Sequence, residues 1–300
     1  MTIPNFLIIG TAKAGTTALY NYLKQHPRIY MSPVKEPKFF AYEGEKLDFR
    51  GPGDREANTS VVTDIDAYRA LFAKVSNETA VGEASPLYLY APKAPERIQH
   101  HIPEAKLIAI LRNPIERAYS SFSQMVREGR EPLGDFSQAL GAEERRIREN
   151  WAPGWHYKRR GFYHTQLERY FDRFHRDQIK IYLYEDLQAN PVGVLQETFR
   201  FLGVDDAFIP DISLRHNVSG IPKSQALHVF LRRPNPIKSV FKPFVRKQLR
   251  SRIKTRLSNR NLRQLPQLPP KARKELAEAY REDVLKLQEL TRRDLSTWLE

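Results

Sequence analysis

The sequence predicts an α/β protein: a three-layer α/β/α arrangement, P-loop-like, with a central parallel sheet of about five strands. Three observations predict it. Short apolar runs of strand length alternate with amphipathic helical stretches, as a parallel sheet covered on both faces requires. The first apolar run, "FLIIG", ends in a glycine-framed turn that opens a helical stretch. No apolar run approaches the ~20 residues of a membrane span.

Taken in order, strands are expected at Phe6–Ile9, Arg28–Met31, Thr79–Gly82, Lys106–Leu111 and Ile179–Tyr184, each a short apolar or β-branched run. Helical periodicity is expected at Thr16–Gln25, Asp64–Val75, Ala94–His101, Pro114–Glu128, Phe136–Asn150 and Phe162–Phe174. Asp64 and Asn113 stand where N-caps belong. Three stretches interrupt the pattern. "YEGEKLDFRGPGDREANTS" reads as a mobile polar loop over the site. "ENWAPGWHYKRRGFY" sets Trp151 and Trp155 among cations, either to stack a sugar or simply to pack. A proline-broken basic stretch then leads to heptad-like text from Lys271 to Glu300.

Composition narrows the function classes. The 300 residues are 41% hydrophobic, enough for a single domain spanning 1–300, with a basic, helix-rich portion from about 212. Without cysteine there are no disulfides, thiolate nucleophiles or zinc–thiolate sites. The start, "MTIPNF", shows no secretory pattern, so the cytoplasm is the expected location. The net charge is +14, and the segment from Ile212 to Lys274 alone holds 17 Lys/Arg and no Asp/Glu, leaving the rest at −3. That segment is either a solvated face or a surface for an anionic partner. Val245, Leu249, Ile253 and Leu257 recur every four residues within it, a stripe suited to docking on the protein or to peripheral membrane contact.

The chemistry centres on "GTAKAGTTALYNYL". Gly10, Gly15, Thr16 and Thr17 keep the frame of a nucleoside-triphosphate loop, but the lysine, Lys13, lies inside the loop instead of after the second glycine. In such a strand–loop–helix turn, the backbone of Lys13, Ala14, Gly15, Thr16 and Thr17 would cradle an anion at the helix N-terminus. A triphosphatase also places an acid at the end of another strand to hold Mg²⁺. Here "KLIAILRNP" ends in Arg112, which repels a metal and attracts a second anion, and Ser120 follows two helical turns later. Two anion sites without a metal suit a nucleotide phosphorylated at both ends, 3′-phosphoadenosine 5′-phosphosulfate (PAPS), with adenosine 3′,5′-bisphosphate (PAP) as product. Lys13 would then stabilise charge developing on the leaving phosphate.

At this point the chain resembles the PAPS-dependent sulfotransferases, most closely the branch of the heparan sulfate N- and O-sulfotransferases. The resemblance rests on "GTAKAGTTALYNYLKQHP", "KEPKFF", "VGEASPLYLY", "LIAILRNPIERAYSSF" and "GFYHTQLERYFDRF…IKIYLYEDL", in that order over most of residues 5–205. It implies Glu83 as the base that deprotonates the acceptor, Lys35 near the transferring sulfate, and Arg112 with Ser120 at the 3′-phosphate. It suggests Lys223, in "HNVSGIPKSQAL", as a nucleotide contact. Tyr163 is a candidate wall for adenine, although Phe162, Gln166 and Tyr170 share its helical face and favour packing. The eight histidines show no metal-ligand spacing, so no metal is expected, and His26 and His164 read as structural.

The expected function is metal-independent, in-line sulfuryl transfer to a hydroxyl or amine of an acceptor such as a glycan or glycolipid. A P-loop kinase or hydrolase would need a lysine after Gly15 and a strand-terminal Asp. A non-enzymatic basic module would need a nucleic-acid recognition motif, and only charge is present.

Overall fold

The computed structural model describes residues 2–213 and 267–300, together with the backbone of two short strands between them. Five parallel strands form one sheet: β1 (Phe6–Gly10), β2 (Ile29–Met31), β3 (Ala80–Ala84), β4 (Lys106–Leu111) and β5 (Ile179–Leu183), in the order β2-β3-β1-β4-β5. These are the five expected strands, with ends shifted by two residues at most. Every residue of β1 and β3 is buried, as strands covered on both faces must be.

Alternation along β1 sorts the core into two layers. Leu7 and Ile9, with Leu107, Ala109 and Leu111 of β4, face one side; Phe6 and Ile8, with Ile108 and Ile110, face the other. α5 (Ala94–His101), α6 (Pro114–Arg127), α9 (Tyr163–Phe171) and α12 (Pro270–Thr291) cover the first side, through residues such as Ile98, Phe122, Leu167 and Leu276. On the second side lie α1 (Thr16–Leu23), α10 (Tyr184–Ala189) and α11 (Pro191–Leu202), through Leu19, Leu187 and Phe199. Gly82 of β3 is required by this packing, because a Cβ there would meet the Phe6 ring at 2.3 Å.

The remaining helices lie in the connections: α2 (Phe39–Tyr42), α3 (Asp54–Thr59), α4 (Ile65–Ala70), α7 (Phe136–Gly141) and α8 (Glu143–Arg148). Asp64 caps α4 by accepting from the Ala67 N–H, and Asn113 caps α6 by accepting from Ile115 and Glu116, as expected. The helix expected over Phe136–Asn150 breaks after Gly141 into α7 and α8, where a glycine weakens helix continuation. α10 and α11 were not anticipated. The basic segment is described only at β6 (Ile221–Pro222) and β7 (Leu262–Arg263), an antiparallel pair whose β6 backbone lies beside α6. The Val245–Leu257 stripe lies outside the described residues. Among the described residues no helix is long and apolar enough to cross a membrane.

The polar stretch after Tyr42 is not the free loop that its composition suggests. It carries α3, and Asp54 at the start of that helix is fully buried. Its carboxylate accepts from the N–H of Gly51 (2.9 Å) and Ala152 (2.8 Å) and from the Trp155 indole (3.0 Å), and it pairs with Arg130. A buried acid satisfied by four donors costs little to bury and much to remove. Trp155 is itself fully buried, and the Arg146 guanidinium lies over both Trp151 and Trp155 at 5.1 Å, so packing, not sugar stacking, explains this pair. His26 is likewise structural: it sits between Phe199 and Phe208, with its two ring nitrogens bonded to the Asp205 carbonyl and the Arg28 N–H. Asp54→Ala should lower unfolding free energy by about 3–5 kcal/mol, the cost of stranding a half-buried cation and three donors; chemical denaturation against wild type checks this.

Candidate active site

The site forms at the carboxyl ends of β1 and β4. These neighbours flank the point where the sheet order reverses, and there the two connections leave in opposite directions and open a crevice. The β1 loop turns through Lys13 (φ +73°) and Gly15 (φ +89°) before α1 begins. Gly15 is needed twice over: its conformation is left-handed, and a Cβ would meet Leu187 at 2.9 Å. No side chain caps α1 and its first turn holds no acid. No acceptor among the described residues takes the N–H of Gly15, Thr16 or Thr17. Three donors at a helix N-terminus therefore remain open to an anion. Ala14 departs from expectation. Its N–H closes the turn on the Thr11 carbonyl (3.3 Å) and its side chain is buried under the loop, so it shapes the cradle without lining it.

Lys13 and Arg112 meet here from different strands. The Arg112 guanidinium donates to the Lys13 carbonyl at 3.0 Å and stacks on the Tyr184 ring at 4.8 Å. The Lys13 ammonium donates to Gln124 Oε1 on α6 at 3.0 Å. Burial, then the charges of Arg127 and Arg112, bring the Lys13 ammonium down to about 8. Ser120 is 7% exposed on α6, in one stripe with Asn113 and Arg117. Tyr163 is not a wall of the cleft. It is fully buried and donates its hydroxyl to the Arg112 carbonyl at 2.9 Å. Lys223 lies outside the described residues.

A cleft of about 430 Å³ opens beside Lys13, Gly15, Thr16 and Thr17. Its opposite wall comes from segments joined at Asp54: Phe49 and Ala57 from one, Arg130 from the second, Pro153 and Gly154 from the third. Glu36 and Lys38, from the "KEPKFF" segment, and Arg160, one of the cations beside Trp155, also face it. Arg160 is 8% exposed, its Nε has no partner among the described residues, and burial together with Arg117 brings it down to about 10. One signal was available. Ser120, Gln124 and Arg127 recur at helical spacing after Arg112, so the helix that carries one candidate ligand presents further polar groups on the same side. Arg160 carried no signal of this kind beyond its place among the cations of the Trp151–Trp155 stretch, because its loop follows β4 only after several intervening elements.

The two candidate carboxylates differ. Glu83, in β3, is fully buried and does not line the cleft; the Tyr68 hydroxyl donates to its Oε1 at 3.4 Å, and Oε2 has no partner. Burial raises its carboxyl to about 7 against the opposing hydrogen bonds of Tyr88 and Ser85. Desolvation, not a neighbouring cation, dominates at Glu83. Glu36 lines the cleft. Burial acts to raise it, but Lys35, whose ammonium lies 2.5 Å away, and Lys38 outweigh burial and hold it below the usual carboxylate range. Lys35 is occupied with that pair and does not itself line the cleft. Among the described residues no group of three His, Asp or Glu is placed to hold a metal.

These features agree with what the chain is similar to. Residues 4–208 match the model of the Sulfotransferase family. A solved sulfotransferase from Alicyclobacillus acidocaldarius is 35% identical and superposes with a TM-score of 0.79 over all of both chains. The human bifunctional heparan sulfate N-deacetylase/N-sulfotransferase 3 is 33% identical over 214 residues, which are 67% of this chain and 22% of that protein. The Xenopus laevis bifunctional heparan sulfate N-deacetylase/N-sulfotransferase 1 is 31% identical over 222 residues, 68% of this chain and 22% of that one. The chain thus spans about a fifth of the length of the curated relatives it matches. With the loop, the crevice and these matches together, the chain belongs to the sulfotransferase family.

Proposed function

We propose that this protein transfers the sulfuryl group of PAPS to a hydroxyl or amine of a carbohydrate-like acceptor, without a metal. The observation that carries this reading is the meeting of Lys13 and Arg112. A cation stands at the strand end where a phosphoryl-transfer site keeps its magnesium carboxylate, and the loop lysine is turned to the cleft side. The open N–H groups of Gly15, Thr16 and Thr17 fit the 5′ phosphosulfate, and Arg112 with Ser120 fits the 3′-phosphate. PAPS supplies an activated sulfur bonded to a good leaving group, the phosphate.

In the reaction, the acceptor oxygen or nitrogen forms a bond to sulfur while the bond from sulfur to the bridging oxygen breaks. The bridging oxygen leaves with the electron pair as a phosphate oxygen of PAP, and the acceptor proton passes to a carboxylate. Lys13 stabilises the charge that develops on the leaving oxygen. Its present bond to the neutral Gln124 costs little to exchange for an anion. Glu36 lines the cleft but has its proton affinity weakened by Lys35 and Lys38, whereas Glu83 binds a proton near neutrality but lies buried behind the wall, so as the base it needs the acceptor, or a water between them, to reach it. A carbohydrate-like acceptor is supported by the names of the heparan sulfate relatives, and the basic cleft accommodates its acidic forms.

Isothermal titration tests the donor site. PAP without metal should bind more tightly than ATP with Mg²⁺, and Arg112→Ala should weaken PAP roughly 10- to 100-fold, the range of a lost charge-assisted bond. A preference for ATP with Mg²⁺ would return the protein to the kinase reading. Lys13→Ala should lower kcat by about 10²–10³ with a smaller change in PAP affinity; normal turnover by the folded variant would remove Lys13 from the chemistry. The pH profile follows from two groups. Glu83 must be ionised, so activity should fall as pH drops through about 7. Lys13 must be protonated, so activity should fall as pH rises through about 8. The free enzyme should show a narrow bell in kcat/KM between these values, with turnover abolished in Glu83→Gln. Loss of turnover in Glu36→Gln with full retention in Glu83→Gln would exchange their roles.

A further inference from the structure

The stretch from 270 to 300 lies beyond residues 4–208 that match the family, yet its Leu295 and Trp298 share a core with Tyr163 and with Leu111, the residue before Arg112. Arg112 is the first residue after β4, so the direction of its side chain depends on how its own peptide is held. Two contacts hold it. The Tyr163 hydroxyl donates to the Arg112 carbonyl at 2.9 Å, and the Asn113 side chain, which caps α6, donates to the Trp298 carbonyl at 3.5 Å. Tyr163 is in turn fixed from the C-terminal side, with the Trp298 ring edge-on to it at 6.1 Å.

The start of α9 depends on the same partner. Tyr163 is its first residue, and the helix has neither a side-chain cap of its own nor an acid in its first turn. The orphan N–H groups of His164 and Thr165 are taken by Asp283 of α12, at 3.0 and 3.2 Å, and the Thr165 hydroxyl donates to the same carboxylate. A helix capped by a residue more than a hundred positions away keeps its first residue in place only while the two helices stay docked.

We propose that Tyr163 is a positioning residue for Arg112, and that α12 and the turn after it, through Asp283 and Trp298, hold Tyr163 in place and so complete the donor site. The inference rests on the reading of Arg112 as a ligand of the donor's 3′-phosphate. It makes the C-terminal segment a working part of nucleotide recognition, and it replaces the expectation that Tyr163 touches the adenine.

The test compares two nucleotides, PAP and adenosine 5′-monophosphate, which lacks the 3′-phosphate, on matched tyrosine variants of the full chain. Tyr163→Phe keeps the ring and removes one donor. Tyr170→Phe is its control: Tyr170 lies on the same helix, is equally buried, and donates at 2.8 Å to the Tyr88 carbonyl, away from Arg112. Tyr163→Phe should weaken PAP up to about ten-fold, the order of one lost hydrogen bond, and leave the monophosphate unchanged. Tyr170→Phe should bind both as wild type does. Asp283→Ala, if melting shows it folded, should reproduce the loss confined to PAP. Wild-type PAP affinity in Tyr163→Phe, or an equal loss of both nucleotides in both tyrosine variants, would overturn the positioning role. Wild-type PAP affinity in folded Asp283→Ala would remove α12 from it. Equal affinity of the wild-type protein for the two nucleotides would overturn the reading of Arg112 and this inference with it, an outcome distinct from the others.

Discussion

The structure depends on holding like charges together at the carboxyl ends of β1 and β4. Lys13, Arg112 and Arg127 act on one another strongly enough to lower the Lys13 ammonium, on top of its burial, and Arg117 acts in the same way on Arg160. Repulsion of this kind would spread a flexible site apart. It persists because adjacent strands carry the two loops, and because the Arg112 guanidinium is bonded to a backbone carbonyl instead of a carboxylate that would neutralise it. The cluster is therefore preorganised for an anion, and anion binding relieves both the repulsion and the unmet N–H groups of the α1 terminus.

Four acids of the same region are committed elsewhere, which helps to keep the cleft positive. Asp54 joins three segments of the far wall. Glu131 takes both arms of the Arg146 guanidinium and the Tyr157 hydroxyl, so that a buried arginine is paired away from the site. Glu143 accepts from the N–H groups of Lys158 and Arg159 at 2.6 and 2.8 Å, holding the segment that delivers Arg160. Asp283 caps α9. Each of these four carboxylates is satisfied by donors, the condition under which such groups are tolerated in a core. Function and stability are separated by sign here: carboxylates fasten the walls and cations face the opening. Glu36 and Glu128 are the exceptions on the cleft wall, and Glu36 reaches it between Lys35 and Lys38.

How much was legible follows from the range of each interaction. The five strands could be read because an apolar run flanked by turn residues is a local signal, and so could the caps at Asp64 and Asn113. The break in Phe136–Asn150 was missed because the helical period continues through it in the text while the chain does not. The stretch after Tyr42 looked mobile because its composition is polar; one acid, Asp54, anchors it through partners about a hundred residues away, and composition carries no trace of that.

The sequence by itself determined the α/β layering, the anion loop with its lysine inside, and the cation at the end of β4, because each depends on neighbours within a few residues. Only the tertiary structure decided that Lys13 and Arg112 touch, that Glu83 is buried rather than facing the loop, that Tyr163 supports a backbone instead of a ligand, and that Arg160 and Lys38 share the cleft. Those facts depend on strand order and on helices docking across the chain. Burial and charge proximity, which set what each group can do, come into being only when distant segments exclude water together.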